Sequence, residues 1–271
     1  MPEAPIGVFD SGFGGLSVLA AIRAVLPAED LVYCADHAHL PYGERDAEAI
    51  RGRAHALADA LAAAGCKAVV IACNTATAAA ADALRARLDI PVVGMEPAIK
   101  PAAAATRSGV IGVLGTGGTL ASARFAALLE RYAGRRRVIT RPCPELVAAV
   151  EQRRADPGRT RALVAAAVEP LLAEGADVLV LGCTHFPFLR AEIESVAGPG
   201  VTVIDTGPAV ARELVRRLEA AGARRPGTRR GRERFWTTGD PAALRATLSG
   251  LWGAAELEPC PAPRPRAQGA R

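Results

Sequence analysis

The sequence predicts an α/β fold with two pseudo-symmetric α/β domains and mainly parallel central sheets. Three observations lead to this prediction. Short β-branched or Leu-rich runs alternate with longer stretches of helical period, the runs suit sheets that are buried on both faces, and one part of the chain resembles another. Hydrophobic residues make up 50% of the 271 residues, which is enough to fill the cores of such domains.

Eight short apolar runs are the predicted strands, in the order in which they occur. They are IGVFD (6–10), DLVYCAD (30–36), KAVVIAC (67–73), IPVVGM (90–95), GVIGVLG (109–115), RRVIT (136–140), DVLVLGC (177–183) and VTVID (201–205). Ala-, Leu- and Arg-rich stretches of helical period separate them. Because parallel strands need helical crossovers, this rhythm predicts βα units.

A comparison of the sequence with itself indicates a duplication. The stretch AGCKAVVIACNTAT (64–77) resembles EGADVLVLGCTHFP (174–187), which aligns Cys73 with Cys183. IGVFDSGFGG near the N-terminus resembles IGVLGTGGT near the middle. Core packing of a single cysteine does not explain two copies of one unit, each with a thiol at the same strand end.

Composition excludes several classes of protein. MPEAPIGVFDSG lacks a basic stretch followed by an apolar one, and no run reaches the roughly 18 apolar residues that span a bilayer. We therefore expect a cytoplasmic protein without a membrane segment.

The formal charge of +5 comes almost entirely from arginine. The Arg-rich segment 223–235 lacks interleaved aromatics, which favours a solvated loop over a nucleic-acid surface. The Pro- and Arg-rich tail 258–271 is predicted to be disordered.

The cysteine and histidine patterns argue against disulfides and metal clusters. The six cysteines have no CxxC pair, and only His185 lies within two residues of a cysteine. We therefore expect reduced thiols and no metal site. Structural roles are expected for Cys34, Cys66 and Cys143, and no role for Cys260. His37 and His39 are predicted to be solvated loop histidines, although they could instead border the cleft.

Cys73 and Cys183 fall where open α/β sheets bind ligands, beyond the carboxyl ends of strands and beside helix N-termini. A free thiol titrates near about 8.5, so a thiolate at neutral pH needs help. His185 could supply charge or accept a proton. Asp10 could accept a proton from Cys73, or its charge could oppose thiolate formation. The neighbouring donors that could hold an anionic group are Asn74, Thr75, Thr184 and His185.

Two thiols that face each other across a cleft suit racemisation, because each can address one face of the same carbon. One thiolate removes the α-proton and the other thiol returns a proton from the opposite side. A pyridoxal enzyme would need a Schiff-base lysine. Neither Lys67 in a turn nor Lys100 beside Pro101 is an attractive candidate.

Five motifs carry a resemblance to a known family. GVFDSGFGGLSV, PYGER, ACNTAT, GVLGTGGT and GCTHFP occur in that order between about residues 6 and 208, and together they resemble glutamate racemases of the aspartate/glutamate racemase superfamily. The resemblance implies a cofactor-independent interconversion of L-glutamate and D-glutamate by two cysteines, supplying D-glutamate for peptidoglycan, with no pyridoxal phosphate and no metal. It also implies an active site in the cleft between two domains.

The family motifs assign roles to individual residues. Cys73 and Cys183 match the catalytic pair, with Asp10 and His185 in the catalytic group as well. The residues that match substrate-binding positions are Asp10, Ser11, Tyr42, Gly43, Asn74, Thr75, Thr116, Thr119, Thr184 and His185. The stretch CPELVAAVEQ matches less closely, so Glu151 is either an assisting residue or a solvated helical glutamate.

By analogy with the family, residues 1–97 and 208–257 form the first domain and residues 98–207 the second. We also expect a homodimer. Two other functions stay open at this point: a racemase of another substrate, such as aspartate, and a non-catalytic two-lobed amino-acid-binding protein.

Overall fold

The structure, a computed structural model, describes residues 2–152, 157–227 and 229–261. The strands within these residues are β1 (Ile6–Asp10), β2 (Leu31–Ala35), β3 (Ala68–Ile71), β4 (Val92–Val93), β5 (Val110–Gly115), β6 (Arg137–Pro142), β7 (Val178–Gly182), β8 (Thr202–Ile204), β9 (Glu233–Thr237) and β10 (Leu257–Pro259). The helices are α1 (Leu16–Val25), α2 (Ala47–Ala63), α3 (Asn74–Arg87), α4 (Ile99–Ala105), α5 (Gly117–Leu120), α6 (Ala123–Tyr132), α7 (Pro144–Gln152), α8 (Pro157–Ala173), α9 (Arg190–Ala197), α10 (Gly207–Ala220) and α11 (Pro241–Trp252). None of the helices in the described ranges combines the length and the apolar character needed to cross a membrane.

The strands form two parallel sheets, which confirms the predicted fold class. The first sheet has the order β10-β9-β2-β1-β3-β4, and the second has the order β6-β5-β7-β8. Every strand pair in both sheets is parallel. The second sheet repeats the order β2-β1-β3-β4 of the first, with β5 in the place of β1 and β7 in the place of β3. These are the strands that the sequence duplication aligns.

The apolar strand runs arise because helices cover both faces of each sheet. Every residue of β1, β3 and β7 is buried. Glycines at matching positions of the two central strands let a helix approach closely. A Cβ on Gly7 would lie 3.0 Å from Leu61 of α2, and a Cβ on Gly112 would lie 2.9 Å from Leu171 of α8.

Two strands of the first sheet lie where the sequence predicted none. β9 begins at Glu233, inside the segment 223–235 that was predicted to be a solvated loop, so that prediction is wrong for its last three residues. β10 runs parallel to β9 and ends at Pro259, so disorder from residue 258 onward is also wrong for residues 258–261. Residues 262–271 of the predicted tail lie outside the described residues.

The end of β10 gives Cys260 a contact that the sequence did not indicate. Its sulfur lies 3.1 Å from that of Cys34, a buried residue of β2. Its backbone N–H donates to the carbonyl of Thr237 at 2.7 Å. Cys260 is therefore packed against the first sheet, and the prediction that it has no role in the structure is wrong.

Candidate active site

A cavity of about 480 Å³ lies at the carboxyl ends of strands from both sheets. Cys73 follows β3, Thr116 follows β5 and Cys183 follows β7, and all three residues line the cavity. The position agrees with the rule that α/β sheets bind ligands beyond the ends of their strands.

The structure brings nearly all of the predicted site residues together around this cavity. Those that line it are Ser11, Tyr42, Gly43, Cys73, Asn74, Thr75, Thr116, Thr119, Glu151, Cys183, Thr184 and His185. Asp10 is the exception, because it is fully buried behind this lining. His37 lines the cavity too, which the sequence analysis had left as the less favoured alternative.

Cys73 is the N-cap residue of α3, and its sulfur accepts a hydrogen bond from the backbone N–H of Ala76 at 3.4 Å. Burial raises the pKa of the Cys73 thiol well above its ordinary value, and the charge of Asp10 raises it further. The bond from Ala76 and the helix N-terminus act in the opposite direction without balancing these effects. The balance of these effects favours the protonated thiol at Cys73.

Asp10, at the end of β1, is held by hydrogen bonds to both carboxylate oxygens. Its Oδ1 accepts the N–H of Ser11 at 2.7 Å, and its Oδ2 accepts the N–H of Gly15 at 2.6 Å. Thr184, from the other half of the chain, donates to Oδ2 at 3.3 Å. Gly15 is required for this approach, since a Cβ there would lie 2.8 Å from the Cβ of Asp10. Burial raises the pKa of Asp10, and these bonds and the charge of His185 counter only part of the rise.

Cys183 has a different partner. Its sulfur lies 3.6 Å from Nδ1 of His185, and Nε2 of the same ring lies 2.7 Å from Oε1 of Glu151. Although burial lowers the pKa of His185, its bonds to Cys183 and Glu151 raise that pKa well above the ordinary value. The imidazole therefore can take the proton of the Cys183 thiol. Gly14 leaves room for the ring, because a Cβ there would lie 2.4 Å from Nδ1.

Glu151, in the last turn of α7, is a central member of the site rather than a solvated helical glutamate. Its side chain is only 9% exposed, and its Oε1 also accepts the N–H of Phe13 at 2.7 Å. Its Oε2 lies 2.9 Å from Nε2 of His37. Burial raises the pKa of Glu151, but the bonds from His185 and His37 outweigh burial and hold that pKa well below its usual range.

The structure corrects the prediction for His37 and separates it from His39. The His37 side chain is 7% exposed, against 35% for His39, so His37 is not a solvated loop histidine. His39 bonds to Asp36 instead of facing the cavity. The sequence carried no pattern that pairs His37 with Glu151, because the two residues lie 114 positions apart.

Threonine hydroxyls from both halves of the chain meet on one wall of the cavity. Oγ1 of Thr75 lies 2.8 Å from that of Thr116 and 3.0 Å from that of Thr119, and the latter two lie 2.9 Å apart. Beside them, the amide of Asn74 is buried, and neither its oxygen nor its nitrogen has a hydrogen-bond partner among the described residues. A buried amide without partners is costly, so Asn74 is a candidate for binding a ligand.

Tyr42 and Gly43 form a turn that closes one side of the cavity. The hydroxyl of Tyr42 donates to Oδ2 of Asp36 at 2.6 Å, so this hydroxyl is already engaged within the protein. Asp36 is a buried carboxylate that Arg53 also binds, and the sequence analysis did not identify it. Gly43 packs directly on the α5 N-terminus, where a Cβ would lie 2.8 Å from the Cβ of Thr116.

No lysine or arginine is among the described residues that line the cavity. Lys67 pairs instead with the buried carboxylate of Glu29, and Lys100 lies 5.8 Å from the ring centre of Tyr132. In the described ranges there is also no group of three or more His, Cys, Asp or Glu side chains that could hold a metal ion. Apart from the two histidines, the described lining therefore offers an anion neutral hydrogen-bond donors.

Comparisons with known proteins show similarity in sequence and fold over most of the chain. A family model described as Asp/Glu/Hydantoin racemase matches residues 6–214. A glutamate racemase from Ectopseudomonas mendocina is 55% identical over 254 residues, which cover 93% of this chain and 95% of the relative. The crystal structure of a glutamate racemase isoform from Bacillus anthracis has a TM-score of 0.86 at 35% identity, covering 96% of this chain and 98% of that one. A crystal structure of Escherichia coli glutamate racemase in complex with L-glutamate and an activator has a TM-score of 0.84 at 32% identity, covering 96% and 99%. Because sequence and fold both match over most of its length, the chain belongs to the Asp/Glu/Hydantoin racemase family.

Proposed function

We propose that this protein is a glutamate racemase that interconverts L-glutamate and D-glutamate with two cysteines as acid and base. The observation that carries the proposal is the placement of Cys73 and Cys183 at the ends of equivalent strands of the two sheets, on one cavity. The relatives and solved structures named above are glutamate racemases, which supports this substrate over aspartate.

In one direction, Cys183 is the base. His185 takes the thiol proton at Nδ1, and its positive charge is stabilised by Glu151. The thiolate of Cys183 then removes the α-proton of glutamate, which leaves a carbanion whose charge spreads into the α-carboxylate. The thiol of Cys73 donates its proton to the opposite face of the α-carbon and becomes a thiolate.

In the other direction, the two thiols exchange roles. Asp10 has a raised pKa and lies beside Cys73, so it is suited to accept the thiol proton when Cys73 must act as the base. Cys183 then protonates the opposite face. No proton is gained or lost over a cycle, and each half of the site returns to its starting state by exchange with solvent.

Neutral donors hold the two carboxylates of the substrate. The unpartnered amide of Asn74 supplies a donor on the cavity wall. The hydroxyls of Ser11 and of the threonine cluster (Thr75, Thr116 and Thr119) bond to Asp10 and to one another, and would turn toward the substrate. Donors aimed at a carboxylate stabilise the extra charge that develops when the α-proton leaves. Asp10 contributes behind this wall rather than by direct contact.

We propose that the reaction needs neither pyridoxal phosphate nor a metal, because the two thiols and their partners supply both proton transfers. The product D-glutamate would supply peptidoglycan synthesis in the cytoplasm. We also propose that residues 1–97 with 208–257 and residues 98–207 form the two domains, each built around one sheet, with β10 extending the first domain to Pro259. A homodimer stays a prediction.

The test is racemisation by the purified protein in deuterium oxide without added pyridoxal phosphate. L-glutamate should yield D-glutamate that carries deuterium at the α-carbon, measured by chiral chromatography and NMR. Faster turnover of aspartate would identify another racemase of the family, and binding without α-exchange of either enantiomer would identify a binding protein.

Two substitutions test the assignment of the thiols. Cys73→Ser and Cys183→Ser should each abolish racemisation, while α-proton exchange persists for one enantiomer that differs between the two variants. Cys66→Ser is the matched control, because Cys66 is buried away from the cavity lining. Near-normal racemisation in either of the first two variants would contradict the two-base scheme.

A further inference from the structure

His37 occupies a position that its place in a loop did not predict. It lies in the turn after β2 of the first sheet, and its ring packs against Phe13 with the ring centres 4.2 Å apart. Its Nε2 points at Oε2 of Glu151, 2.9 Å away. Since Glu151 is ionised, the proton of this hydrogen bond belongs to His37, whose Nε2–H donates.

The two carboxylate oxygens of Glu151 therefore have different hydrogen-bond partners. Oε1 accepts from Nε2 of His185 and from the N–H of Phe13, while Oε2 accepts from His37. A carboxylate can turn about its last bond when only one oxygen is held. The bond from His37 fixes the second oxygen and so fixes the plane of the carboxylate.

That plane determines where the imidazole of His185 can lie. His185 is held at Nε2 by Glu151 and faces Cys183 with Nδ1, 3.6 Å from the sulfur. The proton can pass between the sulfur and Nδ1 only while Nδ1 faces the sulfur, so the orientation of the ring decides whether the transfer occurs. Proton transfer at Cys183 therefore depends on the orientation that Glu151 imposes on the His185 ring. The plane of the Glu151 carboxylate depends in turn on its hydrogen bond from His37.

We propose that His37 is a positioning residue for proton transfer at Cys183, acting through Glu151 and His185. The three side chains come from separate segments of the chain. Their hydrogen bonds therefore also connect the turn after β2 of the first sheet with α7 and with the segment after β7 of the second sheet. This inference rests on the proposed racemase function. It concerns only one of the two thiols, because His37 has no described contact with Cys73 or Asp10.

Two substitutions of similar polarity separate the role of Nε2 from that of the ring. Gln at position 37 can place its side-chain nitrogen near the position of Nε2, whereas the shorter Asn places it nearer to Nδ1. We expect H37N to lower kcat/KM roughly tenfold, a part of the roughly 10²–10⁴-fold that a positioned acid–base group contributes, and H37Q to retain most of the rate. H39N is the matched control, since His39 is half-exposed and does not line the cavity.

The decisive readout is the substrate deuterium isotope effect on kcat/KM for each enantiomer. Because the two enantiomers have equal energy, kcat/KM must fall equally in both directions, and loss of folded protein would lower both without changing the isotope effects. If proton transfer at Cys183 becomes slower, the isotope effect on kcat/KM must increase for the enantiomer that Cys183 deprotonates. It must decrease for the enantiomer that Cys73 deprotonates. The enantiomer that Cys183 deprotonates is the one whose α-exchange is lost in Cys183→Ser.

The expected result is therefore a larger isotope effect for one enantiomer and a smaller one for the other in H37N, with wild-type values in H37Q and H39N. Unchanged isotope effects in H37N, or unchanged kcat/KM, would overturn the inference. The proposed function is tested separately, because it fails only if the wild-type protein does not racemise glutamate.

Discussion

Replacing Asp10 with Asn removes a buried charge beside Cys73 while keeping the shape of the side chain. The carboxylate accepts the N–H groups of Ser11 and Gly15 on different oxygens, at 2.7 Å and 2.6 Å. An amide offers one acceptor oxygen, so one of these N–H groups must face an NH₂ group. The substitution therefore changes both the acidity of Cys73 and the stability of the fold.

The magnitudes follow from the contacts. After burial, Asp10 is the largest cause of the raised pKa of Cys73. A hydrogen bond to a charged group contributes about 1.5–3 kcal/mol, and 1.36 kcal/mol corresponds to one pKa unit, so the pKa of Cys73 should fall by about 1–2 units. The unpaired N–H should lower the free energy of unfolding by about 1–3 kcal/mol, which corresponds to roughly 2–10 °C in Tm for a chain of this size.

The assay is the pH dependence of Cys73 alkylation by iodoacetamide, with the modified cysteine identified by peptide mass spectrometry. Thermal unfolding followed by circular dichroism gives Tm. Asp46→Asn is the control, because Asp46 caps α2 by accepting the N–H of Ala49 at 2.8 Å, and Asn caps helices equally well. If the alkylation midpoint of Asp10→Asn stays in place or moves to higher pH, the electrostatic account of Cys73 is wrong.

Three further predictions concern the walls of the cavity. Glu151→Gln removes a charge that raises the pKa of His185, so the NMR titration midpoint of the His185 Cε1 proton should move to lower pH by about 1–2 units; a rise would contradict the ion pair. Gly43→Ala forces a Cβ to within 2.8 Å of a threonine at the N-terminus of α5, which should lower stability by about 1–3 kcal/mol in denaturant titrations. Gly52→Ala is its control, since nothing lies within 4 Å of a Cβ there and Ala favours the helix, so this variant should gain stability. Thr75→Val removes a donor from the threonine cluster and should raise KM for glutamate about tenfold, for a loss of about 1.4 kcal/mol of binding; an unchanged KM would exclude the cluster from substrate binding.

The sequence predicted the parts of the fold that follow from local pattern. Each of the eight apolar runs overlaps a strand of the structure, and the central strands are the most apolar because they need apolar residues on both faces. β9 was not predicted because its first two residues, Glu233 and Arg234, continue an Arg-rich segment. Only its last three residues are buried, which is too short a stretch to indicate a strand. β10 was missed because three residues that end in Pro259 are too few to form a pattern, and its pairing with β9 depends on tertiary contacts.

The same limit explains which part of the site could be predicted. A strand end with a cysteine and a polar neighbour is a local feature, so both thiols could be located from the sequence and matched by the duplication. The row from His37 to Glu151 to His185 joins residues 114 and 34 positions apart, and no periodicity specifies such contacts. Glu151 was therefore left between two roles, and His37 was assigned the wrong one.

The duplication is symmetric in its backbone and asymmetric in its chemistry. Cys73 and Cys183 follow equivalent strands, but burial and the nearby carboxylate of Asp10 raise the pKa of the first, while the second faces an imidazole whose pKa is raised by its bonds to Cys183 and Glu151. A racemase handles two substrates that are mirror images, and an L-amino-acid protein cannot build mirror-image surroundings for its two bases. The two thiols proposed as bases therefore do not require equal partners. In the proposed scheme each proton transfer requires only a group able to accept the thiol proton, and Asp10 and His185 would fill that role by different means. Because the two thiols have different partners, substitutions can separate the two directions of racemisation. Asp10→Asn should act on proton transfer at Cys73, and Glu151→Gln on proton transfer at Cys183.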